Sequence, residues 1–178
     1  MVEKGEARVD PTIDLIFKAL FGQERNKDLL ISLLTGVLHL GPAERPAAVE
    51  ILNPFSALQV VGDKQSVLDA RVTDQAGRRY DVEMMCYAHP ALAERIVYCA
   101  CRMVREQLGE SDPYTRLRPV IVLVFTTFPL VQAGPRYHTT FRLRDAESAA
   151  VLSPLMRIDI VELPKYDKPA GAAASLEE

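Results

Sequence analysis

The stretch from Ser66 to Tyr87, SVLDARVTDQAGRRYDVEMMCY, restricts the fold more than any other part of the chain. Val67 to Thr73 and Tyr80 to Cys86 both alternate in polarity as strands do, and Gly77 lies near the centre of their connection. A three-residue hairpin loop closes through a type I turn and a residue in the left-handed region, which glycine enters without a Cβ penalty. With Gln75, Ala76 and Gly77 as that loop, Asp74 pairs with Arg78, Arg71 with Asp81, and Asp69 with Glu83. Residues directly opposite on a ladder stand roughly 5 Å apart at Cβ, and like charges there repel. The Asp69–Glu83 pair therefore calls for compensation. A hard divalent cation such as Mg²⁺ is the simplest compensator, because it takes one or two carboxylates and leaves positions for water and substrate phosphate. Spacing leaves a second reading open, a solvated acidic pair beside an ordinary Arg71–Asp81 ion pair.

The flanking segments predict helices and further strands. Asp10-Pro11 is a cap with proline at the first helical position, and Ile13, Ile16, Phe17, Leu20 and Phe21 follow at helical spacing until Gly22. Asp14 and Lys18 lie four apart on that helix and form an i,i+4 pair. A second helix fits Asn26 to Leu40, with a wide leucine stripe. Val49 to Asn53 is a short strand ended by Pro54, and Phe55 to Gln65 is irregular. After the hairpin, Ala91 to Leu108 is the clearest helix, with Leu92, Ile96, Val97, Ala100, Met103 and Val104 as its buried stripe and Gly109 as its stop. Arg95 and Arg102 are seven residues apart and share a side, either as a solvated basic edge beside Glu94 and Glu106 or as a phosphate-facing stripe. The run VIVLVF, Val120 to Phe125, suits a strand buried on both faces of a sheet. A long helix between strands implies a crossover, hence a mixed sheet with helices on its faces. Tyr137 to Leu143 and Arg157 to Leu163 each read as one more strand.

Composition narrows the function classes. A chain of 178 residues with 48% hydrophobic content is long enough for one well-buried domain, placed at residues 1–168, and short for two. Residues 169–178, rich in alanine and glycine, read as a flexible tail or as the start of a further C-terminal region. The formal charge of -3 provides no global basic field, so nucleic-acid binding has to come from local patches. Cys86, Cys99 and Cys101 form neither an even disulfide set nor a zinc signature, and read as buried, reduced thiols. No apolar run approaches the ~20 residues of a membrane span and the N-terminus lacks a signal-peptide core, so a soluble, cytoplasmic protein is expected. His39 and His138 have no acidic or cysteine partner at ligand spacing, His89 beside Pro90 reads as a loop residue and not a base, and Glu50 reads as a solvated edge residue.

The order of helices, strand, hairpin, helix and strand, with an aspartate on the second strand and an acidic residue on the third, resembles the PD-(D/E)XK nuclease superfamily. Within it the chain is similar to the transposase-associated branch, also called the Rpn or recombination-promoting nuclease family. The stretches that carry the resemblance are DLIFKALFG (14–22), NKDLLISLLTGVL (26–38), VEILNP (49–54), DKQSVLDARVTDQAGRRYDVEMM (63–85), ERIVYCACRMVREQL (94–108), PYTRLRPVIVLVF (113–125) and VELPK (161–165).

This resemblance implies an α/β fold, the restriction-endonuclease-like αβββαβ core with a mixed sheet flanked by helices. It implies a metal-dependent DNA phosphodiester hydrolase, with Asp69 and Glu83 as ligands of Mg²⁺ or Mn²⁺ and the backbone carbonyl of Met84 as a third ligand. DNA is the implied partner, with Arg95 and Arg102 on its phosphates. The family's remaining catalytic side chain is lysine, or glutamine in this branch, two residues after the glutamate. Met85 stands there and offers only a weak thioether acceptor. Arg71, Arg95 and Lys18 are the candidates to replace it. The alternative is a catalytically silent nuclease-like domain that binds nucleic acid or a protein partner.

Overall fold

The computed structural model describes residues 14–52, 70–131 and 134–166. The elements are α1 (Asp14–Phe21), α2 (Lys27–Val37), β1 (Val49–Ile51), β2 (Ala70–Asp74), β3 (Arg79–Met85), α3 (Leu92–Arg105), β4 (Val120–Thr126), β5 (His138–Arg144) and β6 (Val151–Glu162). The Asp10-Pro11 cap, the Phe55–Gln65 segment, residues 67–69 and the 169–178 tail lie outside the described residues.

The hairpin forms in the expected register because its turn leaves little choice. Gly77 takes φ +77°, in the left-handed region, and its N–H donates to the Asp74 carbonyl at 2.9 Å. The Asp74 N–H then reaches the Arg78 carbonyl at 3.1 Å, and Arg71 falls opposite Asp81. The Asp74 carboxylate holds this corner together. It accepts from the Ala76 and Arg78 N–H groups at 2.9 Å each, from Arg78 Nε at 2.6 Å and from the Tyr80 hydroxyl at 3.0 Å. Burial, with Asp74 beside it, pushes the Tyr80 hydroxyl above its ordinary pKa, so it remains a donor across the physiological range.

Six strands form one sheet in the order β1-β2-β3-β4-β6-β5. β1, β2 and β3 are antiparallel neighbours, β4 runs parallel to both β3 and β6, and β5 closes the far edge antiparallel to β6. The parallel β3–β4 pair requires a crossover, and α3 supplies it. The fold is the α/β, restriction-endonuclease-like arrangement that the resemblance implied. Every residue of β4 is buried, as its unbroken apolar run requires.

The pleat divides the core in two. Val72, Tyr80, Val82, Met84, Leu123 and Phe125 join Phe17 of α1 and Leu30 and Leu34 of α2 on one face. Val122, Val124, Ile158 and Ile160 join Leu92, Ile96, Ala100 and Met103 of α3 on the other. Full burial of each such large side chain contributes about 2 kcal/mol. Three details differ from the periodicity. Val97 is 49% exposed and Cys99 is buried, because the α3 stripe centres on the side that meets β4 and β6. Cys101 is exposed and Cys86 half-buried, so only Cys99 is a buried thiol. α2 stops at Val37, and His39 follows in a turn at φ +51°.

On the α1–α2 face, β5 is tied to β6 by a polar network around Asp159, which is fully buried. Its carboxylate accepts from Thr140 Oγ1 at 2.7 Å, from Arg157 Nε and Nη2 at 2.6 and 2.9 Å, and pairs with His138 Nε2 at 2.8 Å. His138 thus has an acidic partner that sequence spacing did not reveal, since the two residues meet only across the ladder. At the sheet end, Glu162 accepts from the Leu130 and Val131 N–H groups at 2.6 and 3.0 Å and from Lys165 Nζ at 2.7 Å, pinning the segment after β4.

Burial raises the pKa of both carboxylates, but hydrogen bonds outweigh it and hold each below its ordinary value. The donors are His138, Arg157 and Thr140 for Asp159, and Lys165, Leu130 and Val131 for Glu162. A carboxyl group depressed in the folded state contributes stability that is complete above its unfolded pKa, about 4, and is lost as pH falls through the folded value. Urea unfolding midpoints are therefore expected to be flat from pH 7 to about 5 and to fall steeply below about 4. Asp159→Asn is expected to lower stability at pH 7 by about 2 kcal/mol and to flatten that acid limb. Asp74→Ala leaves the Tyr80 hydroxyl buried without its acceptor and is expected to cost about 2–3 kcal/mol in the same measurement.

Candidate active site

Alternation along β2 and β3 sorts their side chains between the two faces. Val72, Tyr80, Val82 and Met84 face α1 and α2, which leaves Arg71, Asp81, Glu83 and Met85 toward the α3 side. The carboxyl groups of Asp81 and Glu83 are both removed from solvent, at 0% and 3% exposure. Two carboxylates two residues apart on one buried face need nearby cations.

The cations come from the opposite strand and from α3. Arg71 Nε stands 3.8 Å from Asp81 Oδ1, and its Nη1 stands 3.8 Å from Glu106 Oε2, just beyond the end of α3. Arg102 Nε approaches Glu106 Oε1 at 3.3 Å, and Arg95 Nη2 approaches Glu83 Oε2 at 3.9 Å. The result is a charge ladder that links β3 and β2 to α3. Separations of 3.8–3.9 Å are Coulombic contacts and exceed hydrogen-bond length.

The predicted site residues meet this geometry unevenly. Glu83, Arg71, Arg95 and Arg102 share one surface, and Arg95 reaches Glu83 directly. Met84 sends its side chain into the α1–α2 core, so its backbone is what borders the acidic row. Met85 is half-buried and packs against the apolar cluster under α3. Asp69, expected opposite Glu83, lies outside the described residues, as do the side chains of Asp14 and Lys18. Glu50 is exposed on edge strand β1. Asp81 was read from sequence only as a partner for Arg71. Its complete burial beside Glu83 makes it part of the same acidic row, and the two-residue spacing was the available signal. Among the described residues, no group of three or more His, Cys, Asp and Glu side chains is assembled to hold a metal.

The donor chemistry separates metal classes. Carboxylate and carbonyl oxygens suit hard cations such as Mg²⁺ or Mn²⁺, whereas the Met85 thioether does not. The mixed sheet of this order, with the acidic row of β3 beneath the crossover helix, is consistent with a nuclease-type fold. The family model for the PD-(D/E)XK nuclease family transposase matches residues 11–175, and the chain belongs to that family. Comparison with curated proteins and with solved structures gave no match. No helix among the described residues is long and apolar enough to cross a membrane.

The two ends of the charge ladder differ in burial, and the energetic consequence is testable. Arg71→Met takes a cation from the fully buried Asp81 and is expected to cost about 2–3 kcal/mol in chemical unfolding. Glu106→Gln alters a pair whose carboxylate is 44% exposed and is expected to cost under about 1 kcal/mol.

Proposed function

We propose that the chain is a metal-dependent DNA phosphodiester hydrolase whose centre is the face of β2 and β3 beneath α3. The observation that carries this reading is the buried Glu83 carboxylate, held two residues beyond the Arg71–Asp81 pair with Arg95 at 3.9 Å. In this reading Asp69 is the partner of Glu83 that the hairpin sequence predicts. Asp69, Glu83 and the Met84 carbonyl would hold Mg²⁺ or Mn²⁺, which supplies a water of lowered pKa and charge neutralisation at the phosphate.

The protein's own residues have distinct tasks in this reading. Glu83, removed from solvent, sets its carboxyl group at the floor of the site. Arg95 is half-exposed and reaches Glu83, so its guanidinium is placed to bind a non-bridging phosphate oxygen and take over the role vacated at Met85. Arg71 is less suited, being shared between Asp81 and Glu106. Arg102 extends the phosphate contacts along α3, and affinity from such contacts falls steeply with salt.

One observation favours the second reading, a nuclease-like domain that binds nucleic acid without cleaving it. Met85 packs into the apolar cluster where the branch has lysine or glutamine. Supercoiled plasmid incubated with Mg²⁺ or Mn²⁺ separates the two. The hydrolase is expected to nick it, with Asp69→Ala and Glu83→Ala each lowering the rate at least about 100-fold, the scale of losing several kcal/mol of charge stabilisation. Arg95→Ala is expected to lower the rate by about 10–100-fold on the same ground. Equal nicking by parent and variants removes the proposal. No nicking by a parent that still binds DNA selects the silent domain.

A further inference from the structure

We infer that the outer side of α3 is a track for unpaired DNA, with Tyr98 as a base-stacking platform set between phosphate-binding arginines. This rests on the nucleic-acid reading of the adjacent site and names the form of substrate that site receives.

The argument begins with spacing. Arg95, Tyr98, Arg102 and Arg105 follow one another at intervals of three, four and three, so on an α-helix they stand in a row along one side. The apolar side of α3, with Leu92, Ile96, Ala100 and Met103, is committed to the sheet. The row's inner border is fixed by contact with the site. Arg95 approaches Glu83, and Arg102 approaches Glu106, which in turn approaches Arg71. Tyr98 and Arg105 therefore occupy the outer lip of the acidic row.

Exposure then distinguishes the tyrosine. Tyr98 is 67% exposed, so its ring contributes little to the core, while the Arg95 and Arg102 side chains are 48% and 38% exposed. A planar ring flanked by two cations, one helical turn away on either side, matches what a single strand presents, a phosphate backbone with open base faces. Proteins that bind single strands combine a basic groove with aromatic side chains on which bases stack. A duplex uses the arginines but not the ring, because its base faces are already stacked on one another. The chain as a whole is acidic, so charge complementarity to DNA has to come from local rows of cations such as this one.

Fluorescence anisotropy in EDTA, which prevents metal-dependent cleavage, tests this with a labelled oligothymidine of about 16 nucleotides and a duplex of equal length. The parent is expected to bind the single strand, and Tyr98→Ala to weaken that binding about tenfold while leaving duplex binding within about twofold. Tyr98→Phe, which keeps the ring, is expected to match the parent. Arg105→Ala is expected to weaken both forms and to reduce the salt slope by about 1. The inference is overturned if Tyr98→Ala changes neither form or both equally, or if the parent binds duplex alone. Plasmid cleavage by a parent whose single-strand binding ignores Tyr98 would remove this inference and leave the hydrolase standing. Binding to neither form, with no cleavage, would remove both.

Discussion

The corner at Asp74 controls the geometry of the site. Four donors converge on one buried carboxylate, and they belong to the turn, to the first residue after it and to the next strand. Slipping the hairpin by one residue would break all of them and would also turn every side chain of one strand to the other face of the sheet. Register, turn and facing are thus a single choice. Arg71 opposite Asp81, and Glu83 beneath α3, are consequences of it.

The two faces of the sheet divide stability from chemistry. On the α1–α2 face, the carboxylates of Asp74 and Asp159 are surrounded by short, well-aligned donors, as buried charges must be if the fold is to tolerate them. On the α3 face, Arg71 approaches Asp81 at 3.8 Å and Arg95 approaches Glu83 at 3.9 Å. The acids of the α1–α2 face thus belong to the framework of the fold, and those of the α3 face border the candidate site.

Met85 marks the tension in this arrangement. Its side chain adds to the apolar cluster beneath α3, at a position where a polar group would face the acidic row. Arg95 approaches Glu83 from the helix above, so a cation stands near the carboxylate even though the strand does not supply one. A charge delivered from a helix has more reach and less rigidity than one fixed on a strand, since three or four rotatable bonds separate it from the backbone.

Much was legible in the residues themselves, because local rules act over short separations. Gly77 dictated the turn, the turn dictated the Arg71–Asp81 register, and the VIVLVF run dictated a strand buried on both faces. The α3 stripe was read nearly correctly, with Val97 and Cys99 exchanged, because a period of 3.6 locates an apolar side only to within a residue. Contacts between distant segments were not legible. His138 and Asp159 are 21 residues apart and meet through β5–β6 pairing, and Arg95 meets Glu83 only because α3 folds back across the sheet. Sequence alone determined the hairpin, its acidic residues and the kind of sheet that must receive them. Tertiary structure decided which cations approach those acids and at what distance, because that depends on how the crossover helix packs and on no pattern within either strand.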